Sequence, residues 1–368
     1  MDYWAHGGMV LLNVAMTLVD AAGLYYVYRR RTAVRWWQAG LFAAGASLSL
    51  LVLFAFGPAF LSRIRPVQYQ SFPLVRAAAY VIFVHATLCL SGGAVLLRKT
   101  ARRTAVLSAL GAVSLVAVAL DAFWIEPTWL EVTHLRITSP KVDRMIRVAV
   151  LADLQTDQAG LYERRVLERL RAEKPDVVIL AGDYVQTLYD RHDKIRKELN
   201  TLMREVGLDA PEGVFALEGN IDMGNPWPRL FEGLPVLPIT ATRSFDVGPI
   251  RLTCLSVGES FHPGLRVARG EPDRFHLVAG HGPNFALGRI DADLLVAGHT
   301  HGGQVQLPLL GPVTTGCLVP RDWASGATDL PGGAKLVVSR GVGMERGLAP
   351  RLRFLCRPEL VIIDIVPE

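Results

Sequence analysis

The sequence predicts an α/β protein in two parts, a membrane region with four helices followed by one layered globular domain. Three observations predict this architecture. Long apolar runs are concentrated before Leu135, and short β-rich runs alternate with helical ones after Arg147. Polar side chains able to bind metal stand directly behind several of those β-rich runs. We assign residues 1–130 to the membrane region and residues 140–368 to the globular domain.

Composition confines the hydrophobic excess to the first third of the chain. Hydrophobic residues make up 51% of the sequence and the mean hydropathy is +0.28, both too high for an ordinary soluble enzyme. Residues 1–135 carry 11 Lys and Arg against five Asp and Glu, whereas the remainder has a net charge of −1. The basic pI therefore describes membrane-flanking loops and predicts no nucleic-acid partner. The four cysteines are scattered without a CxxC pair, which indicates neither a zinc knuckle nor a disulfide framework.

Four apolar stretches approach or exceed the ~20 residues that cross a bilayer as a helix. They are residues 7–28, 36–61, 77–97 and 104–125. Eight Lys and Arg side chains lie in the first and third loops, against three in the second. Because positive loops stay in the cytoplasm, four crossings place the globular domain on the periplasmic or extracellular side of the inner or plasma membrane. The lipid bilayer is thus one expected partner.

Three ionisable residues, Asp20, His85 and Asp121, lie inside or near the predicted spans. Intramembrane charges can mark a proton or ion path. Their positions in the sequence show no repeated or paired pattern, so we favour anchoring or lipid access over transport.

After Arg147, buried strands alternate with helices, the pattern of a sheet covered on both faces. Residues 147–152 form a continuous apolar strand, and residues 161–173 form an amphipathic helix. Functional groups of such folds gather at strand ends. Five predicted strands stop at a side chain able to bind metal, namely Asp153, Asp183, Asn220, His281 and His299.

These residue types suit a pair of divalent cations about 3.5–4 Å apart, which can clamp a phosphate and generate hydroxide at neutral pH. Such a site requires hard carboxylates and borderline imidazoles. His301 belongs to the candidate set because it stands two residues after His299. A bend among the surrounding glycines would aim each ring at a different metal.

The order of these motifs resembles the calcineurin-like metallophosphoesterase superfamily. The motifs are Asp153-Leu154-Gln155, Gly182-Asp183, Gly219-Asn220-Ile221-Asp222, Gly280-His281 and Gly298-His299-Thr300-His301. The stretches GHTHGGQVQLPLLGP (298–312), SRGVG (339–343) and RFLCRPEL (353–360) resemble its bacterial membrane-anchored branch. The resemblance covers about residues 145–366 and implies a layered αββα domain that acts as a hydrolase.

The resemblance also implies a role for each candidate residue and two divalent metal ions, with Mn, Fe, Zn and Mg all open. Asp183, Asn220 and His281 would carry catalysis. The implied ligands are Asp183 as the bridge, Asn220, His281 and His299 in one site, and Asp153, Gln155 and His301 in the other.

Two positions depart from the family pattern. Gln155 stands where a histidine is usual, so the second site should be weaker or shifted towards oxygen-preferring Mn²⁺ or Mg²⁺. Whether Gln155 is a weak ligand or only a hydrogen-bonding neighbour stays open. Some relatives use a tyrosine where this chain has Gln186. Ile221 replaces the histidine thought to protonate the leaving group, which leaves Asp222 with an expected structural role.

Arg346 and Arg351 follow the last glycine-rich turn and are candidates for binding substrate phosphate, with a solvated face as the alternative. The leading hypothesis is a membrane-anchored phosphohydrolase that cleaves a phosphodiester or phosphoanhydride by attack of metal-bound hydroxide. The membrane region favours a lipid-linked substrate. The alternative is a degenerate, metal-binding fold that acts as a membrane-tethered, non-catalytic binding or regulatory module.

Overall fold

A computed structural model describes residues 2–30, 71–187, 189–312, 314–347 and 349–368. The chain divides into two compact units. One lies within the first 124 residues, and the other begins at Ile125 and holds nearly all of the remaining chain.

The described part of the first unit is helical except for a turn at residues 98–101 and a short segment near residue 350. Helix α1 spans Asp2–Arg30, α2 spans Ser71–Tyr80, α3 spans Thr87–Leu97 and α4 spans Arg102–Leu120. A π-helical turn, Val81–Ala86, joins α2 to α3, and a second one, Asp121–Ile125, follows α4. Three described segments are long and apolar enough to cross a membrane, namely Val10–Arg29, Val75–Leu97 and Arg102–Thr128. The predicted span over residues 36–61 lies outside the described residues.

Asp20 and His85 form a buried pair inside this unit. Nδ1 of His85 lies 2.6 Å from Oδ2 of Asp20, and its Nε2 lies 3.0 Å from Oδ1 of Asn13. Cys89 donates its thiol to Oδ1 of Asp20 at 3.2 Å. The absence of a paired pattern in the sequence was therefore misleading, because residues 65 positions apart meet only when the helices pack.

The second unit contains two six-stranded sheets. The strands of the first sheet are β1 Glu131–Thr138, β2 Ile146–Leu151, β3 Val177–Leu180, β4 Val214–Leu217, β5 Val236–Ile239 and β16 Glu359–Val366. Those of the second are β6 Arg243–Val247, β7 Ile250–Cys254, β9 Phe275–Ala279, β11 Leu294–Ala297, β14 Gly326–Asp329 and β15 Lys335–Val338. The first sheet has the order β1-β16-β2-β3-β4-β5 and the second β14-β15-β11-β9-β7-β6. Neighbours are parallel except for β16–β2, β14–β15 and β6–β7.

Shorter elements connect the sheets. The helices are α5 Leu161–Ala172, α6 His192–Val206 and α7 Val257–Ser260. Two-residue strands form the pairs β8 Arg266–Val267 with β10 Arg289–Ile290, and β12 Gln306–Leu307 with β13 Gly311–Pro312. Single 3₁₀ turns occupy Glu126–Thr128, Tyr189–Arg191, Trp227–Phe231, Pro283–Leu287, His301–Gly303 and Arg321–Trp323.

The two faces of β2 explain its unbroken apolar sequence. Ala149 and Leu151 pack against the buried faces of α5 and α6. Val148 and Val150 point the other way, into a core shared with the second sheet. A strand that is buried on both faces reads as a continuous hydrophobic run instead of an alternating one.

The layering matches the predicted αββα arrangement on one side. Helices α5 and α6 cover the outer face of the first sheet. The outer face of the second sheet packs instead against short turns and loops, with Phe285 and Trp323 among the contacting residues. In the described residues, long helices therefore cover only one of the two sheets.

The globular unit also begins earlier than residue 140. Strand β1 pairs in parallel with β16 along its whole length, from Glu131 against Glu359 to Thr138 against Val366. Glu126 accepts hydrogen bonds from the backbone nitrogens of Leu355 (2.9 Å) and Cys356. Residues 125–139 are consequently part of this domain.

Candidate metal centre

The carboxyl ends of five strands bring the predicted ligands together. Asp153 follows β2, Asp183 follows β3, Asn220 follows β4, His281 follows β9 and His299 follows β11. Ligand atoms of Asp183, His281 and His299 all lie within 4.8 Å of one another. Because β2–β4 belong to one sheet and β9 and β11 to the other, the site forms where the two sheets end side by side.

Left-handed backbone geometry aims these side chains into the site. Positive φ angles occur at Asp153 (53°), Gln155 (34°), Asp183 (57°), His299 (69°) and His301 (50°). This region costs a residue other than glycine about 1–3 kcal/mol, and it clusters at functional sites. The surrounding fold therefore holds these five predicted residues in strained backbone conformations that local sequence preference does not favour.

Two glycines allow the chain to pass directly against the acidic ligands. A Cβ at Gly219 would lie 2.1 Å from Oδ1 of Asp183. At Gly341, where φ is +66°, it would lie 2.7 Å from Oδ2 of Asp153. Gly341 belongs to the SRGVG stretch, so this motif forms one wall of the Asp153 pocket.

His281 is oriented by a backbone carbonyl. Its Nδ1 donates to the Ala181 carbonyl at 2.7 Å, which leaves Nε2 facing the site, 2.9 Å from Oδ1 of Asn220 and 3.4 Å from Oδ2 of Asp183. Burial opposes a charge on the ring, but the Asp183 and Asp153 carboxylates outweigh it and raise the pKa of His281 to about 9. The negative environment that attracts this proton would equally attract a divalent cation.

The surroundings of Asp183, His299 and Asp153 shift the pKa values of these side chains in different directions. Burial works against ionisation of Asp183, but the neighbouring His281 ring overcomes it and lowers the Asp183 pKa. Burial, reinforced by the His281 ring, lowers the pKa of His299 to about 4. Burial also raises the pKa of Asp153, to about 7, while its two oxygens accept from the His299 backbone nitrogen at 3.0 and 2.9 Å. An ionised Asp183 beside a neutral His299 is the state in which both can bind metal.

Six buried side-chain atoms of the described residues have no hydrogen-bond partner, and two of them belong to predicted metal ligands. These two are Oε1 of Gln155 and Nδ1 of His301. Such orphan atoms are costly unless something else satisfies them. Both residues belong to the second predicted metal site, and both atoms are types that coordinate cations.

Asp222 and Ile221 fix the position of Asp183. The Asp222 carboxylate accepts from the backbone nitrogens of Asp183 (2.7 Å), Tyr184 (3.1 Å) and Gly219 (2.9 Å). The Ile221 backbone nitrogen donates to Oδ1 of Asp183 at 2.8 Å. The expected structural role of Asp222 therefore has a geometric basis, since it joins the turn of Asp183 to the turn that precedes Asn220.

The two candidate substrate-binding arginines share one acidic partner. Arg346 and Arg351 donate to separate oxygens of Asp157, at 2.5 and 2.7 Å. Arg346 also donates to the Gln155 carbonyl. Much of their positive charge is therefore balanced within the protein, although Arg351 stays largely exposed.

Two residues near the site escaped the sequence analysis. The Phe261 ring stands edge-on to His299, with ring centroids 4.7 Å apart. Glu345 accepts hydrogen bonds from the amides of Gln155 and Gln186. The one available signal for Glu345 was its position two residues after SRGVG; Phe261 had none.

Comparison with known proteins agrees with this geometry. Residues 146–303 match the family model described as calcineurin-like phosphoesterase. The chain carries a calcineurin-like phosphoesterase domain. Relatives include the uncharacterized metallophosphoesterase YkuE of Bacillus subtilis, 27% identical over 219 residues, or 55% of this chain and 72% of that protein. The phosphodiesterase YaeI of Escherichia coli is 29% identical over 214 residues, or 53% of this chain and 72% of that protein.

A solved structure of a dimetal phosphatase from Danio rerio is similar at 14% identity and a TM-score of 0.32, covering 54% of this chain and 88% of that one. This likeness is too low to carry a functional argument. The family match over residues 146–303 and the relatives, which are named as a metallophosphoesterase and a phosphodiesterase, agree with the clustering of Asp and His side chains at this site.

The residues present fit divalent cations. Carboxylate and imidazole groups converge with the Asn220 amide oxygen, and the unpartnered Oε1 of Gln155 and Nδ1 of His301 are atom types that bind cations. When bound, such cations lower the pKa of a bound water and withdraw charge from a phosphoryl oxygen. The protein's part is to hold Asp183 ionised, His299 neutral and Asn220 directed by His281.

Proposed function

We propose that this protein is a membrane-anchored phosphohydrolase that cleaves a phosphodiester or phosphoanhydride in a lipid-linked substrate. The observation that carries the proposal is the convergence of Asp183, His281 and His299, with Asn220 held 2.9 Å from His281. These groups suit phosphoryl transfer, because catalysis there depends on positioning and on stabilising charge at the phosphoryl oxygens. Asn220 would orient one such oxygen through its amide.

The leaving group follows from Ile221. An isoleucine cannot protonate a departing alkoxide, and lost general-acid catalysis typically removes about 10²–10⁴ in rate. Leaving groups that are stable as anions suffer least from that loss. This favours phosphoanhydrides and activated esters over simple alkyl phosphodiesters.

Lipid linkage is supported by an exposed apolar hairpin tip, residues 308–310, between β12 and β13. Leu309 is fully exposed and Leu310 is 71% exposed. The same segment continues to Gly316, whose carbonyl lies 3.2 Å from Nε2 of His299. Two largely exposed apolar side chains are therefore close in sequence to a residue that contacts His299, where they could meet an acyl chain.

Anchoring is supported by the three apolar helices. Only two residues separate the end of the third candidate span at Thr128 from β1 at Glu131. The excess of positive charge in the first and third predicted loops supports a periplasmic or extracellular location for the domain. Protease protection in oriented vesicles would test this location, and cleavage of the domain only in inverted vesicles would contradict it.

The test of function is Mn²⁺-dependent hydrolysis by the full-length protein in detergent. We expect turnover of an activated phosphodiester and of a lipid pyrophosphate, and background rates for Asp183→Asn. Asp246→Asn, which changes an exposed carboxylate on β6, is the matched control and should keep full activity. Absence of turnover in folded protein loaded with Mn²⁺, Mg²⁺, Zn²⁺ or Fe²⁺ would favour the second candidate, a non-catalytic binding module suggested by the replacements Gln155 and Ile221.

A further inference from the structure

Glu345 lies beside the candidate metal centre, but it belongs to none of the motifs that predict metal ligands. Its backbone nitrogen donates to Oε1 of Gln304 at 2.8 Å. Its Oε1 accepts from the Gln186 amide at 2.6 Å, and its Oε2 accepts from the Gln155 amide at 3.3 Å. These contacts hold the carboxylate in one orientation, with Oε2 turned towards Gln155.

A single amide nitrogen serves two carboxylates at this point. Nε2 of Gln155 donates to Oδ2 of Asp183 at 3.1 Å and to Oε2 of Glu345 at 3.3 Å. The –NH₂ group is the positive end of the amide dipole. It therefore reduces the repulsion between the carboxylates of Asp183 and Glu345, which it contacts. A divalent cation would satisfy the same two carboxylates more strongly than a neutral amide does.

The buried oxygen of the same amide gives an independent indication. Oε1 of Gln155 has no hydrogen-bond partner, and the side chain is buried. Nδ1 of His301 is likewise buried and unpartnered. The unpartnered Gln155 oxygen belongs to the amide that links Asp183 to Glu345.

We propose that Glu345 is a ligand of the second metal ion and replaces the imidazole that is missing at Gln155. The site would then combine the carboxylates of Asp153, Asp183 and Glu345 with His301. Gln186 would hold the Glu345 carboxylate in place, and Gln155 would remain a weak ligand or a hydrogen-bonding neighbour. Such an oxygen-rich set selects Mn²⁺ or Mg²⁺ over softer cations. The inference rests on the metal dependence in the proposed function but requires no turnover.

The test is a count of bound metal in the full-length protein. Metal-free protein in detergent is dialysed against increasing Mn²⁺, and bound Mn²⁺ per chain is measured together with the electron paramagnetic resonance signal of a coupled pair. We expect two Mn²⁺ ions in the wild type. Glu345→Gln should keep the first ion. Its affinity for the second Mn²⁺ ion should fall by about 10–100-fold. The signal of the coupled pair should disappear at Mn²⁺ concentrations that fill both sites in the wild type.

Asp157→Asn is the matched control, because this acid lies two residues from Gln155 and pairs with Arg346. It should retain both ions. The double variant Gln155→His/Glu345→Gln should regain the second ion, since it restores an imidazole. Regained binding would also show that Glu345→Gln does not simply misfold the chain.

Two outcomes would overturn the proposal. One is a Glu345→Gln protein that binds two Mn²⁺ ions with wild-type affinity. The other is equal loss of both ions in Glu345→Gln with no recovery in the double variant, which indicates general disruption. Because no substrate is present, failure here is separate from failure of the proposed hydrolysis.

Discussion

The backbone nitrogen of Ile221 donates to Oδ1 of Asp183 at 2.8 Å. The residue that replaces the expected histidine thus still orients a predicted metal ligand, but only through its main chain. Loss of the imidazole side chain leaves that backbone contact in place. Positioning of Asp183 and protonation of the leaving group are therefore separable in this protein.

Ile221→His should change leaving-group preference. The added imidazole can protonate a poor leaving group, so we expect hydrolysis of an alkyl phosphodiester to rise by at least about tenfold, within the range of general-acid effects. An activated ester should change little. The measurement compares kcat for the two substrates, with Ile221→Leu as the control. Equal acceleration of both substrates would contradict a role for position 221 in protonating the leaving group.

Asp222→Asn should destabilise the domain. The carboxylate accepts three backbone hydrogen bonds, and an amide would place an –NH₂ group against one of those donors. We expect a loss of about 1–3 kcal/mol in unfolding free energy, the cost of a buried unsatisfied donor. Denaturant unfolding followed by the fluorescence of buried Trp227 measures it. Unchanged stability would show that these turns hold without Asp222.

Asp364 should make the free energy of unfolding depend on pH. A bidentate hydrogen-bonded pair with Arg147, at 2.7 and 2.9 Å across β2 and β16, lowers the pKa of Asp364. Because the folded-state pKa is depressed, its contribution is present above the unfolded value near 3.8 and is lost as pH falls through the folded value.

Asp364→Asn should therefore lower the unfolding free energy at pH 7 by up to about 1 kcal/mol, a value limited by solvent exposure of the pair. The difference from wild type should shrink as the pH falls below the unfolded pKa of 3.8. Denaturant titrations at a series of pH values measure it. Arg147→Gln and the double variant complete a cycle, and fully additive losses would contradict a direct interaction.

Leu309→Ser/Leu310→Ser should affect only lipid-linked substrates. These side chains are exposed, so their replacement should leave folding and hydrolysis of a soluble activated ester unchanged. We expect KM for a lipid pyrophosphate in mixed micelles to rise by about tenfold, since each buried leucine contributes about 1.5–3 kcal/mol and the contact here is partial. An unchanged KM would remove the hairpin tip from substrate binding.

Asp20→Asn should loosen the packing of the N-terminal helical unit. The Asp20 carboxylate contacts both His85 and Cys89, and removing one partner of a buried pair is costly. We expect a lower midpoint of thermal unfolding in detergent, whereas Asp121→Asn should leave it nearly unchanged. Identical midpoints for the two variants would contradict a stabilising role for the Asp20–His85 pair.

The sequence by itself determined the features that are written in contiguous residues. Apolar runs marked the three described membrane-spanning candidates, and an unbroken run such as residues 147–152 marked a strand buried on both faces. The sequence also predicted that five candidate site residues stand directly behind strands, namely Asp153, Asp183, Asn220, His281 and His299. Such residues come together because the ends of parallel strands meet at one edge of a sheet.

Only the tertiary structure decided which distant residues meet. Glu345 reaches Gln155 across 190 positions, Asp20 reaches His85 across 65, and β1 joins β16 from opposite ends of the domain. No local pattern records such contacts, since they arise when helices and sheets pack and bury groups that sequence treats as independent. Left-handed turns at Asp153 and Asp183 belong to the same class, because the surrounding fold holds them against their local preference.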